Sequence, residues 1–409
     1  MTSARSAYVF ALAGKADADN IIPVIWEVSR DGTPCHVVVA DASVYESLRR
    51  AWWLAERPSV RVTACFTHDG PPTISERLQR VRWNRLSTRR FLRRTNACLV
   101  CVQWREGVAH DDAGLARRLI RWWSTGYFTQ LQLAARELSI PVVALPHGHS
   151  TKTTTIRSEH VRSRSDTNKG KLPFADRDSF AAYVFCSGYH RDAILGNSDM
   201  EGSNVRVWGS PRFNDAWVPQ LYAHAPTVSL PALPEGAIRR VLLFVPKWQN
   251  LVDRSATMKL IAALGADSRI QLVVRGHLRA EAAALTADER RTLEQGNVVM
   301  ITDDVSSPSL IKACDVVVDV DSSIAFDAVL LGKPYVRPRY LQDSSVETVW
   351  DRLGGAHQPM SIEETVKLLT GTSLAPAARD SSFDRVVFGG PGTEVLARYR
   401  DELRAIAKS

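Results

Sequence analysis

Short β-branched and apolar runs alternate along the chain with longer stretches of helical spacing, the pattern of an α/β protein built on parallel sheets. The first half predicts strands at Tyr8–Leu12, His36–Ala40, Val60–Phe66, Ala97–Val102, Pro141–Leu145, Tyr183–Cys186 and Val205–Trp208. Ala225–Gly236 (APTVSLPALPEG) then lacks periodicity and is rich in proline, so it reads as a linker. A second series of strands follows at Arg240–Val245, Ile270–Arg275, Asn297–Thr302, Asp315–Val320 and Pro334–Val336. Most strands are separated from the next by a helix-length segment, which predicts two doubly wound domains. The expected division is residues 1–225, a linker at 226–236, a second domain at 237–392 and a final helix at 393–409. Val395, Leu396, Tyr399, Leu403 and Ile406 give that helix one apolar stripe, and it is expected to cross back onto the first domain.

A length of 409 residues suits two or three domains, and 45% hydrophobic with 23% charged residues supplies sizeable cores. Disorder, collagen and a disulfide-stapled mini-protein are excluded. Lys and Arg total 52 against 44 Asp and Glu, a net +8 that favours anionic partners. No run approaches the roughly 18 apolar residues of a membrane span. The start, MTSARSAYVFALAGKADADN, reads as a strand and turn and not as a signal peptide. Five of the six cysteines lie in strand-like runs, and the lone CxxC, Cys98 with Cys101, has no second pair to complete a zinc site. A reduced, cytoplasmic chain without a metal or cofactor is expected.

One charge feature changes the picture. Arg77–Arg94 (RLQRVRWNRLSTRRFLRR) holds eight arginines and no acid, interleaved with Leu78, Val81, Trp83, Leu86, Phe91 and Leu92. Such a helix fits an anionic membrane surface, with Arg89, Arg90, Arg93 and Arg94 on lipid phosphates. It equally fits a solvated face whose aromatics pack inward. Arg117–Trp123 (RRLIRWW) has the same character.

Five segments could carry chemistry. His147-Gly148-His149-Ser150-Thr151-Lys152 follows an apolar strand, where ligands bind in open α/β sheets. Histidine suits proton transfer near neutral pH, and Lys152 suits phosphate. Gly209-Ser210-Pro211-Arg212 reads as a turn whose arginine offers a fork to anions. Lys247 after VLLFVP, and Arg275-Gly276-His277 after IQLVV, put cations and an imidazole at strand ends. Asp319 through Asp327 closes a strand and opens a helix, with Ser322 or Ser323 as cap and free N–H groups for a diphosphate. Taken singly, each has a plain alternative: a polar loop, a surface turn, a charged strand end, an ordinary capped helix. No GxGxxG or GxxxxGK[ST] follows a strand, and HExxH and GxSxG are absent, which disfavours dehydrogenases, P-loop NTPases, zinc proteases and α/β-hydrolases.

In order, these segments resemble the CDP-glycerol glycerophosphotransferase family, the teichoic-acid polymerases and capsule-type relatives with a GT-B fold. The family's H-G-T-P-L-K is similar to His147–Lys152, its G-x-P-R-x-D to Gly209–Arg212 with Asp215 displaced by one, and its P-T-W to Pro246-Lys247-Trp248. Its R-x-H-P is similar to Arg275–Leu278, and its S-D-Y-S-S-x-x-F-D to Asp319–Asp327, with a looser K-x-P at Lys333-Pro334. His149, Lys247 and Leu278 depart from the family's threonine, threonine and proline, and Val320 or Asp321 from its tyrosine.

The resemblance implies a GT-B-like pair of Rossmann domains with a cleft between them. It implies an enzyme on the inner face of the cell membrane that moves a polyol-phosphate from a CDP-linked donor to a polymer or lipid-linked acceptor. His147 would be the general base and His277 would face the donor diphosphate. Lys152, Arg212, Lys247, Arg275, Ser322 and Ser323 would hold phosphates, and Asp327 would contact the donor or order its helix. No nucleic acid is implied.

Three other readings share parts of the evidence. A GT-B glycosyltransferase with a nucleotide sugar keeps the fold and the diphosphate site. A non-hydrolysing sugar-nucleotide epimerase needs several carboxylates, and the motifs are dominated by His, Arg and Ser. A non-catalytic polyanion binder would rest on the arginine run alone.

Overall fold

A computed structural model describes residues 6–12, 14–39, 56–64, 85–104, 127–153, 165–276, 285–293, 296–301, 305–320 and 322–409. Its contacts divide the chain into two units, one of Met1–His149, Lys171–Trp217 and Arg385–Ser409, the other of Ser150–Gly170 and Val218–Asp384.

The first unit holds β1 (Ala7–Leu12), β2 (Cys35–Val39), β3 (Val60–Ala64), β4 (Ala97–Gln103), β5 (Val142–Leu145), β6 (Ala182–Phe185) and β7 (Val205–Val207). They form one parallel sheet in the order β3-β2-β1-β4-β5-β6-β7. Its helices include α1 (Lys15–Ser29), α2 (Arg85–Arg94), α3 (Tyr127–Glu137) and α4 (Gly188–Leu195). All six residues of β1 are buried, the signature of a central strand covered on both faces. Val9, Val38, Val100 and Ala144 pack on Leu92 of α2 and Leu131 of α3 to make one side of this core.

The second unit holds β8 (Arg239–Phe244), β9 (Ile270–Arg275), β10 (Val298–Ile301), β11 (Val316–Val318) and β12 (Tyr335–Val336). They form a second parallel sheet, β10-β9-β8-β11-β12. Its helices are α5 (Val218–Ala223), α6 (Arg254–Ala266), α7 (Ala287–Leu293), α8 (Ser307–Ala313), α9 (Ile324–Leu330), α10 (Val349–Leu353) and α11 (Ile362–Thr370). Val241, Leu272 and Val316 of the strands pack with Leu260 and Leu264 of α6. Every strand expected from the sequence is present, and the strand runs are apolar because both sheet faces are covered.

The unit boundaries depart from the expected ones for identifiable reasons. Thr151–Thr153 pairs with the start of α10: Val349 N donates to Thr151 O at 2.8 Å, and Thr153 N to Glu347 O at 3.1 Å. That ties Ser150–Gly170 to the second unit. The proline-rich stretch carries no helix or strand and is bound to β8 and β9, Arg240 Nη2 donating to Pro231 O (2.7 Å) and Gln271 Nε2 to Ala232 O (3.0 Å).

The last helix, α12 (Gly392–Ile406), packs on α1 in the first unit. Val395, Leu396, Tyr399 and Leu403 are buried, as their spacing predicts, and Arg400 pairs with Glu27 at 2.8 Å. Asp215 Oδ1 accepts the Gly392 N–H at 2.6 Å, capping this helix across 177 residues of sequence. Gly209, at φ +95°, lies so close to the same segment that a Cβ would stand 2.7 Å from Phe388 O and 2.8 Å from Val395 Cγ2. Two residues of the G-x-P-R-type segment thus serve packing.

Candidate functional site

In an open parallel sheet, the C-terminal strand ends at the point where strand order reverses form a natural crevice. In the first unit that point lies between β1 and β4, and His147 is built beside it. Gln103, the last residue of β4, is buried, and its Oε1 stands 2.8 Å from His147 Nδ1. With the amide oxygen accepting, the ring hydrogen sits on Nδ1 and Nε2 is the basic nitrogen. Asn20 of α1 donates to the His147 carbonyl at 3.2 Å, and the ring is half-buried. The neighbouring Asp19 takes Arg212 at 2.5 Å, with that guanidinium 4.7 Å from the Phe213 ring centre. Two successive residues of α1 therefore hold the loops after β5 and β7.

His149 has a different fate. It is buried, its Nε2 lies 3.0 Å from the Tyr189 hydroxyl, and its ring packs near Phe213 and Phe388. Burial, reinforced by His190, pushes its pKa from 6.5 down to about 3. A neutral core histidine is the result, while the half-buried His147 ring stands at the sheet edge. Lys152 belongs to the second unit, where it forms an isolated bridge with Thr348, so the HGHSTK segment is divided between units.

In the second unit the order reverses between β8 and β11. Lys247, half-buried, stands just past β8, and Arg275, only 4% exposed, ends β9. The β8 backbone continues onto it, Val245 N donating to Arg275 O at 2.9 Å. After β11, buried Asp319 accepts Ser322 N at 2.7 Å, and Ser322 Oγ accepts Ile324 N at 3.2 Å. Ser322 is therefore the side chain that caps α9; Ser323 occupies the cap position without a side-chain bond. Asp327 is fully buried within α9. Lys333 donates to Cys314 O at 2.7 Å, a structural use of the loose K-x-P match.

His277, Leu278, Asp321, Arg117–Trp123 and residues 77–84 lie outside the described residues. The arginines of α2 separate into two groups. Arg85 and Arg89 pair with Glu137 of α3, the latter at 3.4 Å, whereas Arg90, Arg93 and Arg94 are exposed. Leu92 and Thr88 make the buried face.

Sequence reasoning missed Arg337, which follows β12 with no exposed surface. Its guanidinium bonds Val320 O (3.1 Å), Asp351 (2.9 Å), Gln358 (2.7 Å) and Gln342 (2.8 Å), so it fixes the loop that leads into Ser322. The only signal was an arginine ending a short apolar strand.

Among the described residues no three His, Cys, Asp or Glu side chains gather as a metal site, and no helix is long and apolar enough to cross a membrane. The five described cysteines are free thiols; burial pushes Cys35 and Cys314 up to about 12.

No protein-family model and no curated protein matches the chain. Solved structures do. The UDP-GlcNAc 2-epimerase of Methanocaldococcus jannaschii aligns with a TM-score of 0.60 at 12% identity, over 98% of this chain and 100% of that one. The Neisseria meningitidis UDP-GlcNAc 2-epimerase bound to UDP-GlcNAc gives 0.57 at 13% identity, again over 98% and 100%. The Rickettsia bellii UDP-N-acetylglucosamine 2-epimerase gives 0.54 at 11%, over 98% and 96%. These likenesses support the GT-B fold and not the glycerophosphotransferase family: the chain has two parallel-sheet, Rossmann-like domains of GT-B type.

Proposed function

We propose that the protein is a nucleotide-sugar-dependent GT-B enzyme that transfers a glycosyl group to a hydroxyl on a polymer or lipid-linked acceptor. The observation that carries this reading is His147, held by Gln103 so that Nε2 is its basic nitrogen, at the reversal point of the first sheet. Nε2 takes the acceptor proton as the acceptor oxygen bonds the sugar carbon, and the bond from that carbon to the diphosphate breaks. The leaving nucleoside diphosphate gathers negative charge. Lys247, Arg275 and the Ser322–Ser323 turn, at strand ends of the second sheet, stabilise it by position and charge. His277 takes part by its place in the motif.

One feature favours transfer over epimerisation: of the described carboxylates at these edges, Asp19 is engaged with Arg212 and Asp319 with the Ser322 amide, whereas an epimerase needs carboxylates to move protons. A second reading, transfer of a polyol-phosphate from a CDP-linked donor, is favoured by the order of the five segments from His147 to Asp327.

Incubation with UDP- and CDP-linked donors plus acceptor extract, with mass analysis of the products, separates these readings. Release of the nucleoside diphosphate supports the proposal, and release of CMP moves it to the polyol-phosphate reading. An isomerised, intact nucleotide sugar without acceptor overturns both.

A further inference from the structure

At the other end of the first sheet lies an open depression of about 1440 Å³, lined by the starts of β1–β3 and by α2. Arg30, His36, Arg57, Arg61, Arg90 and Arg94 line it, and among the described residues no Asp or Glu does. Arg57 is partly committed, donating to Trp26 O at 2.9 Å and Ser29 Oγ at 3.0 Å, and Arg30 pairs with Glu27 at 3.0 Å. Arg61, Arg90 and Arg94 are exposed and have no ion pair among the described residues. His36 and Arg61 face each other in the register of β2 and β3, and Phe91 sets its ring edge-on to His36 at 6.2 Å.

This concentration of like charge is already felt by its members. His36 is held below its usual pKa by burial and then by Arg61, and Arg57 is lowered by burial and then by Arg30. Glu27 answers only part of this charge, through Arg30; the remaining like charges repel one another, and an anion relieves that repulsion. Arg90 and Arg94 are one helical turn apart and reach the same side of α2. Guanidinium groups grip phosphate oxygens in pairs, so several such forks suit more than one phosphate.

We propose that this depression binds a ligand carrying two or more phosphate groups, gripped by Arg61, Arg90 and Arg94 with Arg30 and Arg57 adding charge behind them. The site is distinct from the His147 edge and does not depend on the reading of function above. It also divides the arginine segment: Arg90 and Arg94 bind, while Arg89 serves α3.

The test uses the full chain with sodium triphosphate in calorimetry, and flotation with phosphatidylcholine vesicles with and without phosphatidylglycerol. Arg61→Gln/Arg90→Gln is expected to lose roughly tenfold or more in triphosphate affinity, the scale of one to two charge-assisted contacts. Arg89→Gln is expected to stay within about twofold, because its side chain pairs with Glu137. Triphosphate binding without vesicle binding identifies a free phosphate ligand; binding of both that the double variant weakens identifies a lipid headgroup. Absence of triphosphate binding, wild-type affinity in the double variant, or an equal loss in Arg89→Gln overturns the proposal. Circular dichroism of each variant shows that the exposed substitutions leave the fold intact.

Discussion

At the C-terminal end of the first sheet, Arg212 is a tenth exposed and closed onto Asp19 at 2.5 Å; at the N-terminal end, Arg61, Arg90 and Arg94 are exposed and, among the described residues, carry no ion pair. The residue type is the same, and the sequence neighbourhoods are comparably basic or turn-like. What differs is the presence of a carboxylate one hydrogen bond away. Asp19 sits on α1 exactly where the β7 loop returns, so Arg212 organises protein. Among the described residues the rim near β3 and α2 has no such acid, so Arg61, Arg90 and Arg94 are left to solvent and whatever anion enters. Arginine content alone does not tell a scaffold from a receptor; the nearest fixed negative charge does.

The comparison can be broken or sharpened by experiment. The largest effect expected is at the C-terminal end: Gly209→Val puts a branched side chain at φ +95° and into Phe388 O and Val395, and should cost about 4 kcal/mol in chemical denaturation. A loss below about 1 kcal/mol would mean that the α12 segment is not seated there. Next, His147→Ala should lower turnover by at least about 100-fold with the circular dichroism spectrum unchanged. Retained turnover would remove that ring from the chemistry.

Acid should weaken the first unit through His149 and His190, which burial holds at about 3 and about 4. The unfolded chain protonates these rings as pH falls below 6.5, while the folded chain keeps them neutral. Stability is thus fully present above 6.5 and declines as pH falls toward 3. At pH 5 each ring should account for about 2 kcal/mol, and His149→Gln should flatten the denaturation profile.

Arg212→Met should cost about 1 kcal/mol, because Asp19 is half exposed and water partly replaces the lost partner. Smallest of all, Arg90→Gln should change the denaturation midpoint by less than about 0.5 kcal/mol in free energy. An Arg90 variant as costly as Arg212→Met would erase the distinction between the two ends.

Much of the fold was legible because buried parallel strands are nearly unbroken apolar runs, as in Val316–Val318 and Val142–Leu145, and because α12 shows its stripe openly. The site was less so. His147 and His149 differ by two positions and look equivalent as letters; only Gln103 and the Tyr189 hydroxyl hold one ring at the edge and the other in the core. Asp215 reads as a displaced family aspartate, yet its partner is the start of a helix far along the chain, which no local pattern announces. Arg337 is hidden for the same reason, its four partners being spread from Val320 to Gln358. Pairings across long sequence separations decided each case, and those are set by topology and not by composition.

The seating of α12 bears on how the molecule comes into being. A unit whose strands begin with Ala7–Leu12 closes with residues after Arg385, so during synthesis it waits, with α1 lacking this neighbour, until those residues have left the ribosome. The second unit has every one of its strands in hand before then, so it has the earlier opportunity to fold. A release of the polypeptide shortly before Gly392 would therefore yield a molecule whose later half is sound and whose earlier half is unfinished.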